Sequence, residues 1–384
     1  MTATAPTRTQ DVELSLIQQD LSDLARVLFA PKGTSSAGPL IFLTAPLLGL
    51  VVEESTKYLS SPSLASVLTT PAPYLSQYHA HRITKTRARI KMFDDNKGYS
   101  AGLVQLLLHA KTKSHEWFNA PHKGILRSLV KNWQPDIGAY FVGDHLVATT
   151  HIALPALGMS SEEISALTPD QFLNLGESLA LFAENIGVYI KNLADVLGSL
   201  ERSVQLKPDP IREGMISITH NDFIGSNFYR LAQEAFPTTQ EKFLGPITMA
   251  MSHINTTLYV LPKLVSTSSN LLFRARFMTA YYAERMLREA APSMLAGAFP
   301  FSETDHVLKG ARNICAHYGL HSAAPAAINS SEPFGAAIQA VCPYSRDELA
   351  ERSERWLQHV SSAMSSRFSK SSLAHVRAFW GDHT

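Results

Sequence analysis

Apolar residues recur at helical spacing from the start of the chain. The first stripe consists of Leu14, Ile17, Leu21, Leu24 and Leu28. Intervals of three and four residues place these side chains on one face of a helix, and Asp11 is predicted to cap it. The small polar residues 1–10 show no such period and are predicted to form a flexible N-terminal arm.

Helical patterns strengthen after residue 159. Residue pairs that favour a helix start are Ser160 with Glu163, Thr168 with Gln171, and Ser345 with Glu348, because each side chain can cap the other's backbone. Helices are predicted over about 160–204, 240–261, 270–290 and 303–317, and after 345. Since alternating strand patterns are few, the predicted fold class is all-α, a multi-helix body with a less regular N-terminal third.

The same patterns suggest a domain organisation. The arm, 1–10, precedes an N-terminal part, 11–158, and a helical body, 159–384. Lys207-Pro-Asp-Pro210 ends the long helical region because proline cannot continue a helix, so a sub-boundary is expected near 207–210.

The most apolar stretch, 40–52, is shorter than the roughly 20 residues of a membrane-spanning helix, and it contains Pro46. It is interpreted as buried core, and no membrane partner is expected. With 45% hydrophobic and 17% charged residues, the chain is predicted to be globular and soluble. Two cysteines cannot form a disulfide framework, which favours a reducing, intracellular compartment.

Charge is unevenly distributed although the net charge is only +1. From residue 79 to 133 there are 11 Lys or Arg and 3 Asp or Glu; from 160 to 204 there are 7 acidic and 2 basic residues. In an extended conformation Arg87, Arg89 and Lys91 would share one face. The predicted RNA-contacting residues are Arg82, Lys85, Arg87, Arg89 and Lys91. An edge strand whose charges prevent pairing with other chains is the alternative.

Signatures of cofactor and metal enzymes are missing from the sequence. It contains no phosphate-binding glycine loop, HExxH, paired CxxC or GxSxG motif. The densest histidine group is His79, His81, His109, His115 and His122, whose spacing matches no known ligand pattern. No cofactor and no metal site are therefore predicted.

One short motif resembles the Arg-Asn-x-x-x-His signature of HEPN ribonucleases. It reads Ala311-Arg-Asn-Ile-Cys-Ala-His317. The resemblance implies a metal-independent toxin or abortive-infection ribonuclease in which Arg312 and His317 cleave RNA and Asn313 supports them. The alternative is an ordinary helix C-terminus, where His317 meets the negative end of the helix dipole and Gly319 provides the turn.

A longer segment resembles the coat proteins of the partitivirus group of small double-stranded RNA viruses. The likeness lies in the N-terminal arm, the helical body, and Leu261-Pro-Lys-Leu-Val265 leading into the segment 270–283. It implies a non-enzymatic coat protein of the virion, found in the host cytoplasm, that binds copies of itself and encloses RNA. The arm would be exchanged between subunits.

Charge discriminates between two roles on RNA. A nucleoprotein wrapping single-stranded RNA, a further alternative, needs many cations per subunit to neutralise phosphates. A shell around a stiff duplex needs few. The nearly neutral body with one basic segment therefore favours the shell.

Overall fold

A computed structural model confirms the mostly helical fold, which is 69% helix and 5% strand. It describes residues 6–64, 67–68, 77–94, 98–99, 101–119, 124–125, 134–168, 170–171, 175–295, 305–320 and 329–376. The helices of this part are α1 (Arg8–Phe29), α2 (Ala37–Leu59), α3 (Gln77–Ala88), α4 (Ala101–Asn119), α5 (Thr150–Ala156), α6 (Ser161–Ala166), α7 (Leu175–Gly198), α8 (Gly225–Ala235), α9 (Leu244–Asn255), α10 (Leu261–Leu264), α11 (Asn270–Ala290), α12 (Asp305–Ala316), α13 (Pro333–Val341), α14 (Arg346–Ser365) and α15 (Lys370–Leu373).

Five strands form two small antiparallel sheets. The strands are β1 (Phe93–Asp94), β2 (Gly98–Tyr99), β3 (Ile137–Val142), β4 (His145–Thr149) and β5 (Ile218–Phe223). β1 pairs with β2, and β3 lies between β4 and β5 in the larger sheet. A two-residue turn with Gly143 at φ 60° joins β3 to β4, as tight hairpins require.

Helix α11 lies in the middle of the core, in contact with α1, α9, α12 and α14. Its predicted bounds, 270–290, are confirmed, and every residue from Leu271 to Leu287 is buried. Among these residues is Arg274, which pairs with the equally buried Asp20 of α1. Arg274 also donates through Nε to the Cys315 carbonyl at 2.6 Å, and the Tyr318 hydroxyl donates to Asp20 at 2.8 Å. The buried charges are therefore paired and hydrogen-bonded, as the interior requires.

Helix α2 is long and apolar enough to cross a membrane by length and composition, but 78% of its apolar window is buried inside the protein. It packs against α1, α3 and α7 as a core helix. Pro46 lies inside α2 without ending it. A proline inside a helix costs about 3 kcal/mol, less than burying the many apolar side chains of this helix contributes.

The chain start differs from the sequence prediction. Helix α1 begins at Arg8, three residues before the predicted cap Asp11. Thr7 and Gln10 form a reciprocal capping box, in which the Thr7 N–H donates to Gln10 Oε1 at 2.8 Å. The part of the predicted arm that lies in residues 1–5 is outside the described residues.

The predicted capping boxes at Ser160 and Ser345 are confirmed. The long helix α7 ends at Gly198, and non-helical chain follows through the proline segment 207–210. One hydrophobic cluster contains side chains from both sides of that segment and from the N-terminal part. Elements on both sides of the proline segment thus share one large core, and two smaller clusters contain side chains of α4 and α5.

Candidate functional site

The basic segment 82–91 is not an extended ribbon, so that prediction was wrong. Residues 82–88 belong to α3, and Arg82, Lys85 and Arg89 recur at the three- and four-residue spacing of a helix stripe. All three reach towards residues 155–163. Arg82 Nε donates to the Leu157 carbonyl at 3.1 Å, Arg89 Nε donates to the Pro155 carbonyl at 3.2 Å, and Lys85 lies 3.7 Å from Glu163.

Arg87 points away from this stripe, towards α2. Its guanidinium lies 2.7 Å from Glu54 Oε1 and 3.5 Å from Glu53 Oε2. Both carboxylates are buried, and Lys57 lies 2.6 Å from Glu53. Lys91 is exposed just beyond α3. Arg82, Lys85, Arg87 and Arg89 of the predicted RNA-contacting residues thus have partners within the protein.

The HEPN-like residues do not converge within the described chain. Arg312 is only 9% exposed, and its guanidinium lies 5.8 Å from the centre of the Tyr281 ring. His317, half exposed after the end of α12, instead places Nδ1 2.6 Å from Glu54 Oε2. Asn313 is exposed on the helix. Five residues apart on a helix, Arg312 and His317 lie on different faces.

Glu54 is where two of the sequence candidates meet. It binds Arg87 of the basic segment through Oε1 and His317 through Oε2. Burial raises the pKa of Glu54, but the hydrogen bond from His317 and the charge of Arg87 outweigh it and leave the pKa below its usual value. The carboxylate is therefore ionised and ties α2 to α3 and to the end of α12.

A cleft between α4 and α8 contains a group of polar side chains that the sequence did not bring together. It has a volume of about 510 Å³. His115 of α4 places Nδ1 2.8 Å from Oδ2 of Asp136, the residue before β3. The other oxygen of Asp136 accepts the N–H of Gly225, the first residue of α8, at 2.5 Å. Both oxygens of this buried carboxylate are thus engaged, and it fixes the His115 ring.

Gly225 is required for that arrangement. A Cβ atom at this position would lie 2.8 Å from Asp136 Oδ1, closer than real Cβ contacts allow. Glycine therefore lets the carboxylate reach the N-terminus of α8, where backbone N–H groups favour negative charge.

A second histidine lies beneath the cleft. His151 is buried, with Nε2 3.1 Å from the Asp136 carbonyl and Nδ1 2.9 Å from the Tyr229 hydroxyl. A carbonyl only accepts, so Nε2 carries the proton and the Tyr229 hydroxyl donates to Nδ1. Burial lowers the pKa of His151 to about 4, which keeps the ring neutral. The pair holds Tyr229 in the cleft wall.

Two further cations line the cleft. The Lys111 ammonium lies 4.4 Å from the centre of the Tyr229 ring and 3.4 Å from Glu241, which is 75% exposed. Arg230 of α8 pairs with the exposed Glu234 at 2.5 Å. Ser226, in the first turn of α8, completes the polar lining. Lys111 of α4 and Arg230 and Ser226 of α8 thus all line the same cleft.

The sequence pointed to only one residue of this arrangement. His115 stood out as a member of the histidine group, but Asp136 and Gly225 lie 21 and 110 positions further along the chain. Lys111 and His115 are four apart on α4, and that spacing was the available local signal. Within the described residues, no group of three or more His, Cys, Asp or Glu side chains is placed to hold a metal ion.

The chain was compared with family models, with curated proteins and with solved structures, and none of the three comparisons finds a match.

Proposed function

We propose that this protein is a viral coat protein that assembles with copies of itself into a shell around an RNA genome, in virions and in the cytoplasm of the host cell. The observation that carries the proposal is the outer face of α7. Leu181 is 56% exposed and Val188 is 52% exposed. Seven residues apart, they lie one above the other, about 10 Å along the helix.

The rest of α7 explains why this face is notable. Its inner side packs on α1 and α2 and buries Phe182, Ile186 and Ile190. A helix that already has a full apolar contact does not need Leu181 and Val188 for folding. Contiguous exposed apolar patches mark interfaces, and Leu181 and Val188 are the large exposed apolar side chains on this face of α7. In a closed homo-oligomer the occupant is a second copy of the chain.

The internal use of cations supports a shell over a nucleoprotein. Arg82, Arg87 and Arg89 have carbonyl or carboxylate partners within the described chain. Threading single-stranded RNA would require many cations available to phosphates. Loose contact with an enclosed duplex, for which the segment 82–91 remains the predicted site, requires few.

The ribonuclease alternative has less support. RNA cleavage by the HEPN-like pair needs a guanidinium and an imidazole at the same phosphate. Arg312 is buried against Tyr281, whereas His317 faces Glu54. In a dimer that brings two such motifs together, Arg312 of each copy would be buried in the same way.

The size of the purified full-length protein tests the proposal. We expect light scattering after gel filtration, and electron microscopy, to show closed particles of megadalton mass. RNA inside them should resist added nuclease. A stable monomer or simple dimer at all protein concentrations would overturn the proposal.

A double variant tests the α7 face itself. Leu181→Glu with Val188→Glu should abolish particles while leaving the helical circular dichroism unchanged, because both side chains are exposed. Met215→Glu is the matched control, since Met215 is an exposed apolar residue, 46% accessible, away from α7. Particles formed equally well by the double variant would show that α7 is not the interface.

A further inference from the structure

We propose that the cleft between α4 and α8 binds the phosphate monoester of a nucleotide, with Lys111 and Arg230 as its charged ligands. This inference concerns a site separate from the α7 face, and it stands or falls independently of the coat role.

The charges of the cleft favour an anion. Its acidic member, Asp136, already uses one oxygen for His115 and the other for the Gly225 N–H. The Asp136 carboxylate therefore orients His115. Both of its oxygens already accept hydrogen bonds, whereas a metal ligand or a general base would need one that does not.

The two other acids at the cleft are replaceable partners. Glu241, beside Lys111, and Glu234, beside Arg230, are 75% and 56% exposed. Exposed ion pairs contribute little energy, at most about 1 kcal/mol. A phosphate entering the cleft can displace both carboxylates and bind the same two cations at little cost.

The donors that face the cleft match a phosphate in number and kind. The Lys111 ammonium and the Arg230 guanidinium come from α4 and α8, and Ser226 adds a hydroxyl at the N-terminal end of α8. That helix has 11 residues, so its dipole adds positive potential where Ser226 lies. His115 donates to Asp136 through Nδ1, so its ring is held at a fixed place in the cleft lining.

Groups from every element that lines the cleft surround His115. They are Asp136 before β3, Lys111 on its own helix, His151 of α5, Tyr229 and Arg230 of α8, and Glu241 before α9. The two cations, Lys111 and Arg230, can bind a phosphate that displaces their exposed carboxylate partners.

The size and walls of the cleft indicate a nucleotide. A volume of about 510 Å³ falls within the range of roughly 300–1,000 Å³ that small-molecule sites have. Tyr229 and Leu244 are its aromatic and aliphatic lining, and His151 holds the Tyr229 ring in place. Free nucleotides and the phosphorylated end of an RNA strand both offer this chemistry.

Calorimetric titration of the full chain tests the proposal. The probes are inorganic phosphate, a ribonucleoside 5′-monophosphate, the same nucleoside without phosphate, and oligoribonucleotides with and without a 5′-phosphate. We expect binding of every phosphate monoester and no binding of the unphosphorylated partners. Binding of the phosphorylated oligoribonucleotide far above that of the mononucleotide would identify the source as a strand end. No binding of any probe at about 10 mM, or equal binding with and without phosphate, would overturn the proposal.

Variants distinguish the site from general charge attraction. Lys111→Met and Arg230→Met should each weaken nucleotide binding about tenfold or more, because each removes a charge-assisted donor. Lys113→Met is the matched control: it lies on the same helix, pairs with Glu116 at 2.6 Å and does not line the cleft. An equal loss in Lys113→Met would contradict the proposal. Thermal unfolding of all three variants verifies that they fold.

Discussion

The buried ion pair between Asp20 and Arg274 shows how much of the core depends on single residues. Both side chains are only 2% exposed, and the Tyr318 hydroxyl and Cys315 carbonyl complete the network. Charges removed from water are tolerated only when they remain paired. Replacing one partner therefore leaves the other as an isolated buried charge.

Arg274→Met should lower the free energy of unfolding by about 3–5 kcal/mol, the usual cost of breaking a buried pair. Urea denaturation followed by circular dichroism measures this change. Arg355→Met is the control, because Arg355 is 66% exposed and forms only a surface pair with Glu351; we expect a change within about 0.5 kcal/mol. Similar losses in both variants would contradict the importance given to the buried network.

His151 makes stability depend on pH. Burial holds its pKa at about 4 in the folded protein, below the value of roughly 6.5 in an unfolded chain. Between these values the unfolded state binds one proton more than the folded state, so falling pH favours unfolding. Stability present at pH 7 is therefore lost as the pH falls from about 6.5 to 4, by up to about 3 kcal/mol.

Urea titrations at pH 7 and pH 5 should show this loss in the wild type and a smaller loss in His151→Gln. The exposed His359 provides the control substitution, His359→Gln, which should leave the pH dependence unchanged. An unchanged pH dependence in His151→Gln would show that its ring is not the neutral buried group described above.

At the scale of elements, the sequence predicted those parts whose signals are local. The bounds of α11 and the starts of α6 and α14 follow from stripes and capping pairs within a few residues. Strand β3 lacks alternation because nearly all its side chains are buried, as in strands covered on both faces. Its pairing with β5 joins Ile137 to Phe223, far apart in the chain. Such partners leave no local pattern.

The sequence did not predict the cleft between α4 and α8, because its residues are also far apart in the chain. The basic segment 82–91 was misinterpreted because the partners of its cations are distant as well. The alternation of Arg87, Arg89 and Lys91 covers only the end of α3, whereas the carboxylates that bind Arg87 lie on α2. The predicted surface ribbon is therefore a helix that packs against distant parts of the chain. Similarly, His115, Asp136 and Gly225 meet only because α4, β3 and α8 converge.

The close packing of α3 on α2 leads to a prediction at this scale. A Cβ atom at Gly49 of α2 would lie 2.9 Å from the backbone nitrogen of Arg87. Gly49→Ala should therefore push α3 outward and lower the unfolding free energy by about 1–3 kcal/mol. Gly102→Ala in α4, where nothing lies within 4 Å, should be neutral or slightly stabilising. Chemical denaturation compares the two variants, and equal stability of both would show that α3 can shift without cost.

For the whole molecule, the balance of charge decides how it meets RNA. The formal net charge is +1, and most cations of the segment 82–91 contact α2, α6, the end of α5 or the residue after it. Four further cations of the basic region, Lys97, Lys123, Arg127 and Lys131, lie outside the described residues. Under the proposed coat function, a genome is held mainly by the closed shell around it.

This argument predicts the salt dependence of RNA binding. A protein that neutralises six to ten phosphates loses about 10³–10⁵ in affinity between 50 and 200 mM salt. With one or two phosphate contacts per subunit, the unassembled protein should lose only about tenfold or less. Fluorescence anisotropy with a labelled RNA duplex, using the non-assembling Leu181→Glu, Val188→Glu variant, measures the slope without interference from particles. A slope as steep as that of a six-phosphate binder would favour the nucleoprotein.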